Sequence, residues 1–229
     1  MYKEISFFLT SLRQPFINKA KENAMKKIAV IAAMDKEIRL LQGLENASVR
    51  VVASGIGKVS AALTTQKLIL EDRPDLIINS GVAGGLDSSL EIGQIVVGSD
   101  IAYHDVWCGE PNAVGQIQGL PLYYHSDPRA VSRIDSSVRA GLILSGDQFI
   151  SDKDTLQNLK KKFPKALAVD MESAAVAQTC YLHNMPCFIL RLISDTPGVE
   201  HHQSQYDAFW QTAADRSFEA VRKIIECVG

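Results

Sequence analysis

Four cysteines in 229 residues are few, and they are scattered. None forms a CxxC pair or stands with histidine at metal-ligand spacing, so neither a disulfide framework nor a zinc centre is encoded. Cys180 and Cys187 fall in apolar segments and read as small core residues of a protein from a reducing compartment, here taken as the cytoplasm. Charge of one sign is lacking too. The net charge of −2 supplies no field for a nucleic-acid backbone or an anionic membrane surface, and neither partner is expected. The run Lys160–Lys162 is short and reads as a solvated helix face. No apolar run reaches the length of a bilayer span, and there is no internal repeat or low-complexity linker. No GxSxG elbow or Cys–His signature points to a covalent nucleophile. "SGIGKV" fails as a nucleotide loop, because Ser60 stands where a third glycine is needed and Val59 where a Walker motif has Ser or Thr. His201 and His202, with no further ligand types near them, read as solvent-facing.

What is present fits one core. Hydrophobic residues make up 46% and charged residues 22% of the chain, ordinary values for a globular domain. "MKKIAVIAAM", opening at Met25, reads as the start of that domain (residues 25–229). Residues 1–24 form an extension of unassigned role. From Met25 onward apolar strands alternate with helices. "KKIAVIAAM", "SVRVVASGI", "DLIINSGV", "IGQIVVGSDIAYH", "AGLILSGDQFI", "ALAV" and "CFILRLISD" read as strands. "DKEIRLLQGL", "KVSAALTTQKLILE", "DTLQNLKKKF", "SAAVAQTCYLH" and a long last helix through "YDAFWQTAADRSFEAVRKIIE" lie between or after them. Continuous apolar strands between helices predict an α/β fold, a single domain with a central mixed, largely parallel sheet flanked by helices. In such sheets ligands sit at the carboxyl ends of strands.

Those ends carry unusual chemistry. In "FILRLISD", alternation puts Arg191, Ile193 and Asp195 on one face, with Arg191 and Asp195 roughly 13 Å apart. A guanidinium in so apolar a strand needs an acid from elsewhere, and Glu37 and Glu172 are the candidates. "GVAGGL" has three glycines in five residues, which lets backbone approach a flat ligand closely. In "AVDMES", Asp170 and Glu172 stand where a strand gives way to a helix, a place where acids cap the helix and complement its dipole.

Six segments in this order, "IAAMDKE", "SGIGKVSAAL", "INSGVAGGL", "GLILSGDQFI", "AVDMES" and "RLISD", resemble bacterial 5'-methylthioadenosine/S-adenosylhomocysteine nucleosidases, of the wider nucleoside phosphorylase superfamily. The resemblance runs from Met25 to the C-terminus. It implies hydrolysis of the bond between adenine and a 5'-modified ribose in a homodimer, without cofactor or metal. Adenine is a poor anionic leaving group, and the sugar becomes oxocarbenium-like as the bond lengthens. The resemblance makes Asp195 the acid that protonates the purine N7, with a pKa raised by burial or neighbouring acids. Glu37 becomes the base for the attacking water, and Arg191 orients that acid and water. Glu172 grips the ribose hydroxyls and Met171 packs on the sugar, while Asp170 supports the turn. Phe149 packs on adenine, and the Ile150 backbone reads its edge. Tyr206 lines the 5' pocket, and Met34, Val82, Ala83 and Gly84 complete the binding site. Acid and water on opposite sides of the sugar parallel an inverting glycosidase.

Three departures fall on the sugar and 5' side. Val82 replaces the Ser many relatives carry, the connection Glu45 to Val52 is short, and "DVWCGEPNAVGQIQGLPLYYH" diverges. In relatives that last region reaches across the dimer, a role for which Trp107 and Ile117 are the candidates here. A wider 5' pocket is expected, able to take 6-amino-6-deoxyfutalosine besides the two nucleosides of the family's name. Competing readings are a purine nucleoside phosphorylase, opposed by the acids of "AAMDKE" where phosphate would bind, and a catalytically idle nucleoside-binding protein.

Overall fold

Five apolar residues in a row, Ile28–Ala32, form β1 with every side chain buried, as a strand covered on both faces requires. The computed structural model describes residues 27–197, 202–212 and 214–228. The extension at residues 1–24, Met25 and His201 lie outside these, as does the side chain of His202. After β1 come α1 (Asp35–Leu41), a 3-10 turn (Gln42–Leu44), β2 (Val49–Ala53), α2 (Lys58–Glu71), β3 (Leu76–Gly85) and β4 (Ile95–Tyr103). Then follow β5 (Tyr124–His125), α3 (Pro128–Val131), β6 (Arg139–Ser145), α4 (Lys153–Lys162), β7 (Ala166–Asp170), α5 (Ser173–Leu182) and β8 (Cys187–Asp195). The expected last helix is described as α6 (His202–Thr212) and α7 (Ala214–Val228), either side of residue 213.

The sheet is mixed and largely parallel. β1 lies parallel between β2 and β3, and β3 runs parallel to β8. The far end of β3, Gly84 and Gly85, then leaves for an antiparallel pairing with β7. β7 pairs β6 and β6 pairs β4, both parallel, and β4 returns antiparallel to β8. Strands β3, β8, β4, β6 and β7 therefore close into a ring, so that the ends of β3, β7 and β8 face one another. The short β5 and α3 lie beyond β4, in a stretch without strand or helix signal.

Alternation along β8 divides the core. Ile189 and Ile193 pack with Ala61 and Leu68 of α2 and with Ala174 and Ala177 of α5. Phe188, Leu190 and Leu192 pack on the other side with Leu41 of α1, Phe209 of α6, and Phe218, Val221 and Ile225 of α7. In α7 that spacing of three and four residues places the apolar side chains on one helix face, and burial stabilises the fold by about 1.5–3 kcal/mol for each large side chain.

β3 continues as strand through the glycine cluster, where the sequence suggests that it ends. The glycines make room for protein. A Cβ at Gly81 would lie 3.0 Å from Glu37 Oε1, and one at Gly84 would lie 2.6 Å from Pro197 Cγ. Crowding by Glu37 and Pro197 thus bears on these two glycines besides the flat ligand expected there.

Candidate active site

Glu37 occupies the third position of α1 and turns back over the end of β1. Its Oε2 accepts the N–H groups of Ala33 (3.0 Å) and Met34 (2.9 Å), and its Oε1 accepts that of Val82 (3.0 Å). The side chain is buried, and three backbone donors from two elements fix it. A carboxylate offers about four lone-pair sites, so about one remains for a further donor.

Arg191 is buried as well, and its partner is neither Glu37 nor Glu172. Its Nε donates to Asp170 Oδ2 at 2.7 Å, and one terminal nitrogen donates to the carbonyls of Asn79 (3.0 Å) and Leu190 (2.8 Å). The other terminal nitrogen donates to Asn79 Oδ1. Asn79 is oriented from its far side by the carbonyl of Ile31 at 3.1 Å. The correction has a simple cause. β8 lies against β3, and the ring brings the end of β7 across from it, so Asp170 meets the guanidinium while Glu37 lies beyond Gly81.

Asp170 also supports the turn, as expected. Its Oδ1 accepts the N–H groups of Glu172 (3.1 Å) and Ser173 (3.0 Å), and the hydroxyls of Ser145 and Ser173 donate to it as well. Because Asp170 satisfies the start of α5, Glu172 is released from capping. Its Oε1 instead accepts the N–H of Gly57, 2.7 Å away at the start of α2.

Glu37, Glu172, Arg191 and Asp195 line one cavity, with about 640 Å³ of empty space partly open to solvent. Met34, Val82, Ala83, Gly84, Phe149, Met171 and Tyr206 line it too. Of the residues singled out from sequence, Ile150, Trp107 and Ile117 do not; the Ile150 side chain is buried in a cluster with Leu142 and Leu144. Trp107 is 63% exposed, and Ile117 packs against the core.

Similarity to known proteins agrees with this geometry. The Phosphorylase superfamily matches residues 22–226. The 5'-methylthioadenosine/S-adenosylhomocysteine nucleosidase of Lysinibacillus sphaericus is 38% identical, over 87% of this chain and 98% of the relative. That of Staphylococcus aureus is 35% identical, over 86% and 98%. The crystal structure of the Neisseria meningitidis nucleosidase in complex with methylthio-immucillin-A superposes with a TM-score of 0.79 at 36% identity, over 87% of this chain and 98% of that one. The Streptococcus pneumoniae MTA/SAH nucleosidase in complex with 8-aminoadenine gives 0.81 at 31% identity, over 88% and 99%. The chain belongs to the 5'-methylthioadenosine/S-adenosylhomocysteine nucleosidase family.

In this nucleosidase, as a nucleoside hydrolase, the acids of the cavity have distinct environments. Burial raises the pKa of Glu37, against the opposing pull of the N–H groups of Met34 and Val82, the Arg191 charge and the N–H of Ala33. Burial, and then the charge of Asp170, push Glu172 up to about 7, while the Gly57 N–H and Arg191 oppose the rise. Asp195 is buried and accepts the Ser194 hydroxyl at 2.7 Å.

The nucleosidase site also holds residues that sequence reasoning missed. A register shift between Ala83 and Gly84 pairs Ala83 with Ile193 and Gly84 with Asp195. Ser194 is the extra residue, and strict alternation fails there, so that Ser194 and Asp195 both line the cavity. Ser80 lines it as well, with a buried hydroxyl that has no partner among the described residues. Gly57, on Glu172, carried only a tight-turn signal.

At the mouth, Phe149 meets Tyr206 edge to face at 5.8 Å. The Tyr206 hydroxyl accepts from Lys36 Nζ at 2.9 Å and donates to Met34 Sδ at 3.6 Å. Among the described residues no group of three or more His, Cys, Asp or Glu could hold a metal ion. No helix among them is long and apolar enough to cross a membrane.

Proposed function

We propose that the protein hydrolyses the N-glycosidic bond of 5'-modified adenosine nucleosides, 5'-methylthioadenosine and S-adenosylhomocysteine among them, and releases adenine. The observation that carries this reading is that Asp195, at the end of β8, and Glu37, in the first turn of α1, line the same cavity as Glu172. Asp195 protonates the purine N7, which lets the base leave neutral. Glu37 has about one lone-pair site left beside its three backbone donors, and there it takes a hydrogen of the attacking water. Burial raises its pKa and makes it a better proton acceptor, while the backbone N–H groups of Met34 and Val82 and the Arg191 charge oppose that rise. Arg191 therefore acts as a fixed cation behind the base and as the anchor of Asp170. Glu172 holds the ribose hydroxyls against Met171, and the ionised carboxylates stabilise a sugar whose positive charge is greatest in the transition state. Phe149 stacks on the adenine.

Two features favour substrates with a bulky 5' group, including 6-amino-6-deoxyfutalosine. The connection before β2 is short, and Val82, where many relatives carry Ser, lines the cavity, whose rim at Ile56 is exposed in the single chain. A phosphorylase reading is disfavoured because the one guanidinium that lines the cavity among the described residues is committed to Asp170 and Asn79, while ionised Glu37 and Glu172 would repel phosphate.

The same open edge supports a homodimer. Val59, Leu63 and Leu70 share a face of α2, exposed by 73%, 63% and 59%, and Ile56 joins that face to the cavity rim. A second copy would cover both, and Leu63→Glu is expected to convert a dimer to monomers by light scattering.

Incubation with a panel of 5'-substituted adenosines in phosphate-free buffer tests the activity. Free adenine and free sugar are expected. Sugar phosphate formed only on addition of phosphate would make the protein a phosphorylase, and no release from any nucleoside would leave it an idle binder. Strong preference for methylthioadenosine over the bulkier nucleosides would defeat the open pocket.

A further inference from the structure

Gly57 donates the N–H that holds Glu172, and its carbonyl accepts the Ala61 N–H at 3.1 Å as the N-cap of α2. It has φ +91°, and Gly55 before it has φ +78°, conformations natural to glycine and entropically costly to fix. The corner between β2 and α2 has a further brace from outside itself.

Lys58 supplies one. Its Nζ lies 2.7 and 2.8 Å from the two oxygens of Asp105, just beyond the end of β4. It also lies 3.2 Å from Asp147 Oδ2, just beyond the end of β6. The two acids are tied to each other, since Asp147 N–H donates to Asp105 Oδ2 at 2.8 Å. Asp147 Oδ1 in turn lies 3.4 Å from the backbone nitrogen of Lys58. The Lys58 side chain is about one-fifth exposed, so the cluster is partly shielded from water. Burial opposes ionisation of Asp105, but the hydrogen bonds from Lys58 and the Asp147 N–H win and hold it below the usual carboxylate range. Residues 146–149, which begin at this clamp, end in Phe149.

We infer that Lys58 is a positioning residue of the active site: clamped by Asp105 and Asp147, its ammonium fixes the Gly57 N–H on Glu172 and the loop that presents Phe149. One cation thereby couples the sugar side of the cavity to the base side without touching substrate. Removing it leaves two carboxylates facing each other, which repel, and frees a corner made flexible by its glycines. The inference rests on the nucleosidase reading for its kinetic consequences and on geometry alone for its structural one.

The test uses Lys58→Met and Lys58→Arg in the full chain. Lys58→Met is expected to lower kcat/KM for adenine release by roughly 10- to 100-fold, the scale of a misplacement near 1 Å. It is also expected to move the acid limb of kcat/KM to higher pH, because the Gly57 N–H favours ionised Glu172. The other charged groups facing Glu172 are Asp170 on β7, Arg191 on β8 and Glu37 on α1, and the substitution leaves all three in place. Lys58→Arg keeps the charge, can grip Asp105 with two N–H groups, and should restore both activity and limb. Hydrogen exchange at the Gly57 amide should be faster in Lys58→Met and normal in Lys58→Arg. An unshifted limb with unchanged Gly57 exchange in Lys58→Met overturns the inference, even if activity falls in step with lost folded protein. If the parent chain releases no adenine, the nucleosidase reading falls instead, and Gly57 exchange alone decides the role of Lys58.

Discussion

Glu172→Gln gives a stability signature with a definite sign. The glutamate has a pKa near 4.5 when unfolded and about 7 in the folded protein. The folded state therefore holds this proton more tightly. The resulting stabilisation is fully present below pH 4.5 and is lost as pH rises through 7. At 1.36 kcal/mol per pH unit, the gap is worth roughly 3 kcal/mol, of which about 2 kcal/mol disappears between pH 5.5 and pH 8. Glutamine keeps an acceptor for the Gly57 N–H, only 2.7 Å from the present oxygen, but has no proton to lose. Relative to the parent, the variant should gain about 2 kcal/mol across that interval. Urea denaturation of both proteins at a series of pH values measures it. A parent–variant difference that stays flat from pH 5.5 to pH 8 would refute a buried Glu172 that holds its proton up to about pH 7. The substitution should also cost activity, since an amide grips ribose hydroxyls less strongly than a carboxylate.

Arg191→Met leaves the buried Asp170 carboxylate without its counter-ion. Breaking one side of a buried pair costs about 3–5 kcal/mol, and the lower end is expected because Ser145 and Ser173 still donate to Asp170; thermal and urea denaturation report it. Gly84→Ala drives a methyl group to within 2.6 Å of Pro197 and 3.4 Å of Asp195 Oδ2. It should destabilise by about 1–3 kcal/mol and slow adenine release, whereas a fully stable, fully active variant would show that the crowding is easily relieved.

Much of this was legible because the sequence is locally consistent. The continuous apolar runs around Val30 and Ile189 announce buried strands. The residues proposed to carry the chemistry, Glu37, Glu172, Arg191 and Asp195, stand at or near the places where those runs stop. What was not legible depends on which strands become neighbours. The counter-ion of Arg191 is Asp170 because the end of β7 crosses to β3, a pairing of two residues on each side with no local signal. Ser194 escaped because one extra residue in β8 breaks the two-residue period. Gly57 looked like turn chemistry, and its use as a donor to Glu172 joins residues 115 positions apart. The glycines of "GVAGG" were correctly seen as marking close approach, but the approaching groups include Glu37 and Pro197. Ile150 follows Phe149 directly and its side chain turns into the core, which leaves only its backbone for the role expected of it.

The most direct measurement is single-turnover adenine release from methylthioadenosine by Asp195→Asn and Glu37→Gln, with substrate binding followed in parallel. Loss of proton transfer to the purine or from the water should slow release by about 10²–10⁴-fold in each variant, while the nucleoside still binds. Release at the parent rate by either variant would contradict the assignment of acid and base to this cavity.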